Sequence, residues 1–220
     1  PNATKIYVIG GFSEWKEDSR YEMKRLEYGN WEFVFPEGSV KHGDKYKMSV
    51  HWNGGQGERI PAYANRVIQN PETYVFDAQA WQPEKPFEWT DHDFEVKKGT
   101  HLIYEAHIGM SGESEGIASF NDFREKVLPH VIETGYDVLQ LMAIQEHPYY
   151  GSFGYHVSNF FAVSSRFGTP EDLKQLINEA HAAGIAVIMD IVHSHAVKNE
   201  NEGISRLDGS TDLYFHYGDR

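Results

Sequence analysis

The chain has 220 residues, 40% of them hydrophobic and 24% charged, enough to bury a core in one large domain or two ordinary ones. It contains no cysteine, which excludes disulfides and thiolate metal sites and fits a reducing cytoplasm. No apolar run approaches the roughly 20 residues that span a bilayer. No signal-peptide pattern is expected at the opening Pro1. The formal charge is −13, and it is uneven: residues 1–99 carry 13 Lys and Arg against 16 Asp and Glu (−3), residues 100–220 carry 7 against 17 (−10). Such a balance repels phosphate backbones, so nucleic acid is excluded as a partner while a neutral ligand is not.

Up to about residue 98 the rhythm is that of β-structure. Lys5–Ile9, Asn30–Phe35, Lys45–Val50 and Thr73–Phe76 are short runs rich in aromatic and β-branched residues, separated by Gly10-Gly11, Gly29-Asn30, Pro36-Glu37-Gly38 and Asn53-Gly54-Gly55. Spacing of about ten residues predicts an antiparallel β-sandwich over 1–98. Gln82–Glu88, with Pro83 and Pro86, predicts an extended linker.

After Lys98 the period changes. His101–His107 is a predicted strand; Phe120, Phe123, Val127, Leu128, Val131 and Ile132 then recur at helical spacing behind a capping box of Ser119 and Asp122. Pro129 inside that pattern predicts a kink, and Gly135 ends the helix. Val138–Ile144 is a second strand. A second helix opens at Thr169-Pro170 with Asp172 completing another capping box, buries Leu173, Leu176, Ile177 and Ala180, and stops at Gly184 before a third strand, Ile185–Val192. Nearly continuous apolar strands alternating with helices indicate a parallel sheet. Three strands cannot close a (β/α)8 barrel, which needs about 250 residues.

In parallel α/β architectures ligands gather at the carboxyl ends of the strands. The segments there are His107-Ile108-Gly109, the long loop Gln145–Gly168, and Asp190-Ile191-Val192-His193-Ser194-His195. Asp190–His195, running on to Ala196-Val197-Lys198-Asn199, resembles the first conserved region of the α-amylase clan in its branching-enzyme form. Gln140–His147, with Ser152-Phe153-Gly154-Tyr155 and Asn159-Phe160-Phe161-Ala162, is similar to the second strand and following loop of those enzymes, and Tyr104–Gly109 to their first strand. In the front half, Gly11-Phe12-Ser13-Glu14-Trp15 resembles the opening turn of a family-48 carbohydrate-binding module, with Gly and Ser at its two polar positions. Gly29-Asn30-Trp31, His42-Gly43 and Arg59-Ile60-Pro61-Ala62 match further stations.

The resemblance implies a mixed fold: an amino-terminal antiparallel β-sandwich, 1–98, followed over 99–220 by the first three β/α units of an incomplete (β/α)8 barrel. It implies a glycoside hydrolase family 13 enzyme of cytoplasmic glycogen or starch synthesis. Such an enzyme cleaves an α-1,4-glucan (glycogen, amylose or amylopectin) and re-forms it as an α-1,6 branch by a retaining double displacement. By the same resemblance Tyr155 is the platform under the sugar at the cleavage point, His195 hydrogen-bonds that sugar, and Asp190 orients neighbouring groups. Trp15 and Trp31 are candidate glucan contacts in the sandwich, although tryptophans at such positions belong to a core more often than to a sugar-stacking surface.

No catalytic residue is expected in this chain, because the family's nucleophile and acid/base lie after later strands, beyond Arg220; the chain alone is expected to be inactive. No cofactor is implied, and no metal: where many amylases place an asparagine on calcium this chain has Ser194, a poor ligand. The open strand edge predicts self-association. Debranching and trehalose-forming hydrolases of the same clan are the near alternatives. A metal-dependent amidohydrolase, with His193 and His195 joined by His107 and His147, is a remoter one.

Overall fold

The structure is a computed structural model that describes residues 1–215; the last five positions of the expected barrel segment lie outside it. The front half is built on a five-stranded antiparallel sheet. β1 (Ala3–Gly10) pairs with β4 (Lys45–Trp52), which also pairs with β5 (Gly55–Arg59) and β7 (Phe76–Gln79), and β7 pairs with β6 (Val67–Gln69). A short ribbon of β2 (Lys24–Arg25) and β3 (Trp31–Glu32) forms the second layer of the sandwich. Its aromatic continuation packs edge-to-face, Phe33 on Phe35 at 4.8 Å and Phe35 on Phe12 at 5.1 Å between ring centres.

The departures from the expected strands have local causes. The run 73–76 is displaced to Phe76–Gln79 because Asn70 Oδ1 accepts from the backbone N–H groups of Glu72 and Thr73, and Tyr74 takes φ 60°, so a turn occupies the start of the predicted strand. β5 has no apolar alternation to betray it. Its glycines are needed for space: a Cβ at Gly57 would meet the Arg59 guanidinium at 2.6 Å, and one at Gly55 would meet the Trp52 indole at 2.8 Å.

The back half holds three parallel strands, β8 (Ile103–Ala106), β9 (Val138–Leu141) and β12 (Ala186–Met189), with β9 in the middle. Between β8 and β9 lie α1 (Phe120–Lys126) and α2 (Leu128–Glu133), meeting at Val127 next to Pro129, where the sequence predicts a kink. α3 (Pro170–Ala182) leads into β12. Both expected capping boxes form, Ser119 with Asp122 and Thr169 with Asp172. Leu139 and Leu141 of β9, fully buried, pack with Phe120, Phe123, Leu176 and Ala180 of the helices into one core. Burying each of these leucine and phenylalanine side chains contributes about 1.5–3 kcal/mol.

The predicted linker is an ordered strap. Residues 80–102 contain no helix or strand but run along α3. Trp81 Nε1 donates to Glu171 at 2.5 Å, and Thr90 and Asn178 exchange two hydrogen bonds of 2.9 Å. His181 lies 2.5 Å from Asp91 and stacks on Phe94. A second tie is apolar: Ala162 of β11 (Asn159–Val163) shares a core with Ile60, Val67, Phe76 and Ala78 of the front sheet.

Candidate functional site

Side chains two apart on a strand point to the same face. Leu139 and Leu141 face the helices, so Gln140 between them faces the other way. The parallel register sets Glu105 of β8 and Ile188 of β12 beside it. Asp190, two residues past Ile188, continues that face at the carboxyl end of the sheet. Gln140 Nε2 donates one N–H to Asp190 Oδ1 (2.8 Å) and the other to Glu105 Oε1 (3.1 Å). One neutral amide thereby separates two carboxylates that would otherwise repel.

The remaining oxygen of Asp190 takes the hydroxyl of Tyr155, at 3.0 Å. Burial raises the Tyr155 phenol above its ordinary range, and so do its hydrogen bond to Asp190 and the charge of Glu105. The ring is therefore held by its hydroxyl while the residue stays half-buried rather than enclosed in the core.

Tyr155 arrives on the loop between β10 (Gln145–Glu146) and β11, and that loop is built around a buried carboxylate. Glu146 is fully buried and accepts from Ser164 Oγ (2.9 Å) and from the backbone N–H groups of Ser165 (2.7 Å) and His147 (3.1 Å). Arg166 lies at 3.3 Å. Burial pushes its carboxyl above the usual range, against the pull of those donors and of Arg166. Arg166 also donates to the carbonyls of His147 and Pro148, so one guanidinium stitches the loop together. Glu146 is thus committed to structure.

His147 is buried too, donating from Nδ1 to the Gln145 carbonyl at 2.9 Å. Burial pushes its imidazole down to about 4 from an ordinary 6.5, and burial together with the nearby His147 lowers His107. Between those two pH values the unfolded chain binds a proton at His147 that the folded chain excludes. Stability present above pH 6.5 is therefore lost progressively as pH falls toward 4, by about 3 kcal/mol from this residue. Urea unfolding at pH 7 and pH 4.5 is expected to show that loss. His147→Asn, which keeps a donor for Gln145 but cannot titrate, should shrink it; equal losses in both proteins would refute this origin.

His195 is exposed, with Nδ1 2.8 Å from Ser194 Oγ. No hydrogen bond among the described residues joins it to Tyr155 or Asp190. His193 stacks on Phe160, with ring centres 5.5 Å apart. Among the described residues no group of three or more histidine, aspartate or glutamate side chains is placed to hold a metal ion. No helix there is long and apolar enough to cross a membrane.

In the sandwich the two candidate tryptophans part company. Trp31 is half-buried against Ala3, Ile6 and Val50, with Arg25 5.8 Å from its ring. Trp15 is 41% exposed on a left-handed turn, with Lys47 Nζ 5.9 Å from its ring centre.

Residues 103–216, just over half of the chain, match the alpha-amylase catalytic domain. The chain belongs to the α-amylase family. Residues 1–64 match carbohydrate-binding module 48, the isoamylase N-terminal domain. Proteins named 1,4-alpha-glucan-branching enzyme are similar along the chain: that of Dictyostelium discoideum is 45% identical over all of it, that of Felis catus 41% over all of it, and that of Saccharomyces cerevisiae 42% over 98%. The chain spans about a third of the length of these relatives (33%, 32% and 33%).

Two structures of the catalytic module of the multi-modular glycogen-degrading pneumococcal virulence factor SpuA, one with an inhibitor, superpose with TM-scores of 0.67 and 0.68. Each covers 89% of this chain and 35% of its own, at 18% and 19% identity. These establish the fold: a sandwich followed by the opening strands of an α-amylase-type barrel, here an open sheet.

Three participants carry no role in the sequence reading. Glu105 and Gln140 lie inside the motif segments Tyr104–Gly109 and Gln140–His147, but as polar residues of apolar strands their place on the same period-two face as Asp190 emerges only from the register. Lys47 is marked by nothing but its place on β4.

Proposed function

We propose that the chain forms part of the glucan-binding cleft of a 1,4-α-glucan branching enzyme. Tyr155 is the platform for one glucose ring, His195 supplies a hydrogen bond to the same sugar, and Asp190 positions Tyr155 and its neighbours. The observation that carries this reading is the Tyr155–Asp190–Gln140–Glu105 chain at the carboxyl ends of β8, β9 and β12, where this architecture binds its ligands. Whole-chain likeness to branching enzymes supports the substrate class. In that reaction a carboxylate attacks the anomeric carbon, a second carboxyl protonates the leaving oxygen, and a 6-hydroxyl of another glucan takes the glycosyl group. Neither carboxyl role is assigned to a residue here, and cytoplasmic polysaccharide synthesis is the setting proposed.

Incubated with amylose, residues 1–220 alone are expected to form no new α-1,6 linkages by NMR. Titrated with maltoheptaose in a Trp15→Ala background, they are expected to bind it about tenfold more weakly after Tyr155→Ala, the worth of one aromatic platform. Turnover by the chain alone, or unchanged binding, would overturn the assignment.

A second contact is proposed in the sandwich at Trp15. Its support is an exposed indole face beside a lysine that is itself tied to Glu58 (3.2 Å) and Asp77 (3.3 Å).

A further inference from the structure

The turn that presents Trp15 is strained. Glu14 and Trp15 both have left-handed backbone, φ 52° and 58°, a conformation that side chains with a Cβ rarely adopt in succession. Something must hold it.

At its start, Ser13 Oγ bridges the N–H and carbonyl of Gly10 (3.1 and 3.2 Å), and Trp15 N donates back to the Gly10 carbonyl at 2.9 Å. Gly10 leaves no room for a larger residue, since a Cβ would stand 2.5 Å from the Lys45 carbonyl oxygen and 2.7 Å from the Phe12 ring.

At its end Lys16 N donates to the Ser13 carbonyl at 3.0 Å, and the side chain of Glu17 ties the segment to the sheet. Its Oε1 accepts from Ser49 Oγ at 2.6 Å and lies 2.7 Å from His51 Nε2. Lys47, Ser49 and His51 alternate along β4 and so share one face. That face meets the turn in order, with the ammonium at the Trp15 ring and the hydroxyl and imidazole on Glu17. Partial burial raises the Glu17 carboxyl, and the hydrogen bonds from Ser49 and His51 more than offset this, holding it below the ordinary range; Lys5 adds a smaller pull.

We infer that Glu17 is a positioning residue for glucan binding by the sandwich: clasped by Ser49 and His51, it holds the strained turn so that the Trp15 ring stands exposed beside Lys47. This rests on the reading of Trp15 as a glucan contact. Glu17 touches no sugar. It acts through the angle of the indole, by tying the residues that follow the turn to Ser49 and His51 of β4.

The test uses the 220-residue chain carrying Tyr155→Ala, so that binding reports on the sandwich, with maltoheptaose as probe. Glu17→Ala is expected to weaken binding about tenfold. It should also change iodide quenching of Trp15, read as the difference from a Trp15→Phe variant. Glu17→Gln keeps an oxygen for Ser49 and His51 and should restore both to near the parent values, a rescue that a general loss of stability would not give. If Trp15→Ala abolishes binding while Glu17→Ala leaves it intact, the positioning role fails and the glucan contact stands. If Trp15→Ala changes nothing, the contact itself fails and the inference with it. Weakened binding with Trp15 quenching unchanged would also overturn the role.

Discussion

Gly154→Ala is expected to destabilise the chain by more than about 3 kcal/mol and to release the loop that carries Tyr155. Gly154 is buried with φ +86°, left-handed backbone that alanine enters only under strain, and an added Cβ would overlap the carbonyl oxygen of Ala143. That oxygen belongs to the segment immediately after β9 and cannot retreat without dragging the middle strand of the sheet. Strain and overlap therefore add, and relief of one does not relieve the other. Urea unfolding gives the size of the loss, and limited proteolysis within 149–157 reports release of the loop. A variant as stable and as resistant as the parent would show that the loop accommodates the added methyl, against this prediction. The residue next in sequence is Tyr155, so the tightest backbone approach in the loop is what fixes the proposed platform.

Glu146→Ala is expected to cost about 3–5 kcal/mol, the penalty for removing one partner from a buried charged network. Ser164 Oγ and the N–H groups of Ser165 and His147 would lose their acceptor, and Arg166 its carboxylate, in a place with no room for bulk water. Glu146→Gln keeps the shape but turns an amide N–H₂ toward groups that are themselves donors, so it should fall between the parent and the alanine variant. Chemical denaturation of the three proteins orders them. A Gln variant worse than Ala would mean that an amide turned toward donors costs more than leaving them unpaired around an empty space, and would overturn that order. The comparison also separates structure from chemistry, since Glu146 sits beside the proposed cleft yet has every oxygen engaged inside the loop.

Much of the architecture was legible from local rules. Two capping boxes, a proline break near Val127, the glycine stops at 135 and 184, and three apolar strands all follow from neighbours within a few residues, where backbone sterics and side-chain caps act. The ordered motifs around Tyr155, Asp190 and His195 likewise survive as contiguous sequence. What was hidden depends on distant partners. β5, a run of Gly55–Arg59, exists because β4 offers it a ladder and because Trp52 and Arg59 need the space over its glycines. The proline-containing stretch is a strap because α3 binds both its ends, Glu171 at Trp81 and Asn178 and His181 at Thr90 and Asp91.

The candidate site divides along the same line. Sequence alone determined which chemical groups the strand ends would carry: a phenol, a carboxylate and imidazoles, in an order shared with one enzyme family. Only the tertiary structure decided who meets whom. Gln140 reaches residues 35 and 50 positions away because parallel register places their side chains on one face, and the same register leaves His195 on an exposed turn. Trp15 and Trp31 were indistinguishable as letters; packing half-buried one against Ala3, Ile6 and Val50 and left the other beside Lys47. The physical reason is range. Caps and periodicity act over one turn or one pleat, whereas hydrogen-bond partners and burial are selected only when strands far apart in the chain are brought within a few ångströms.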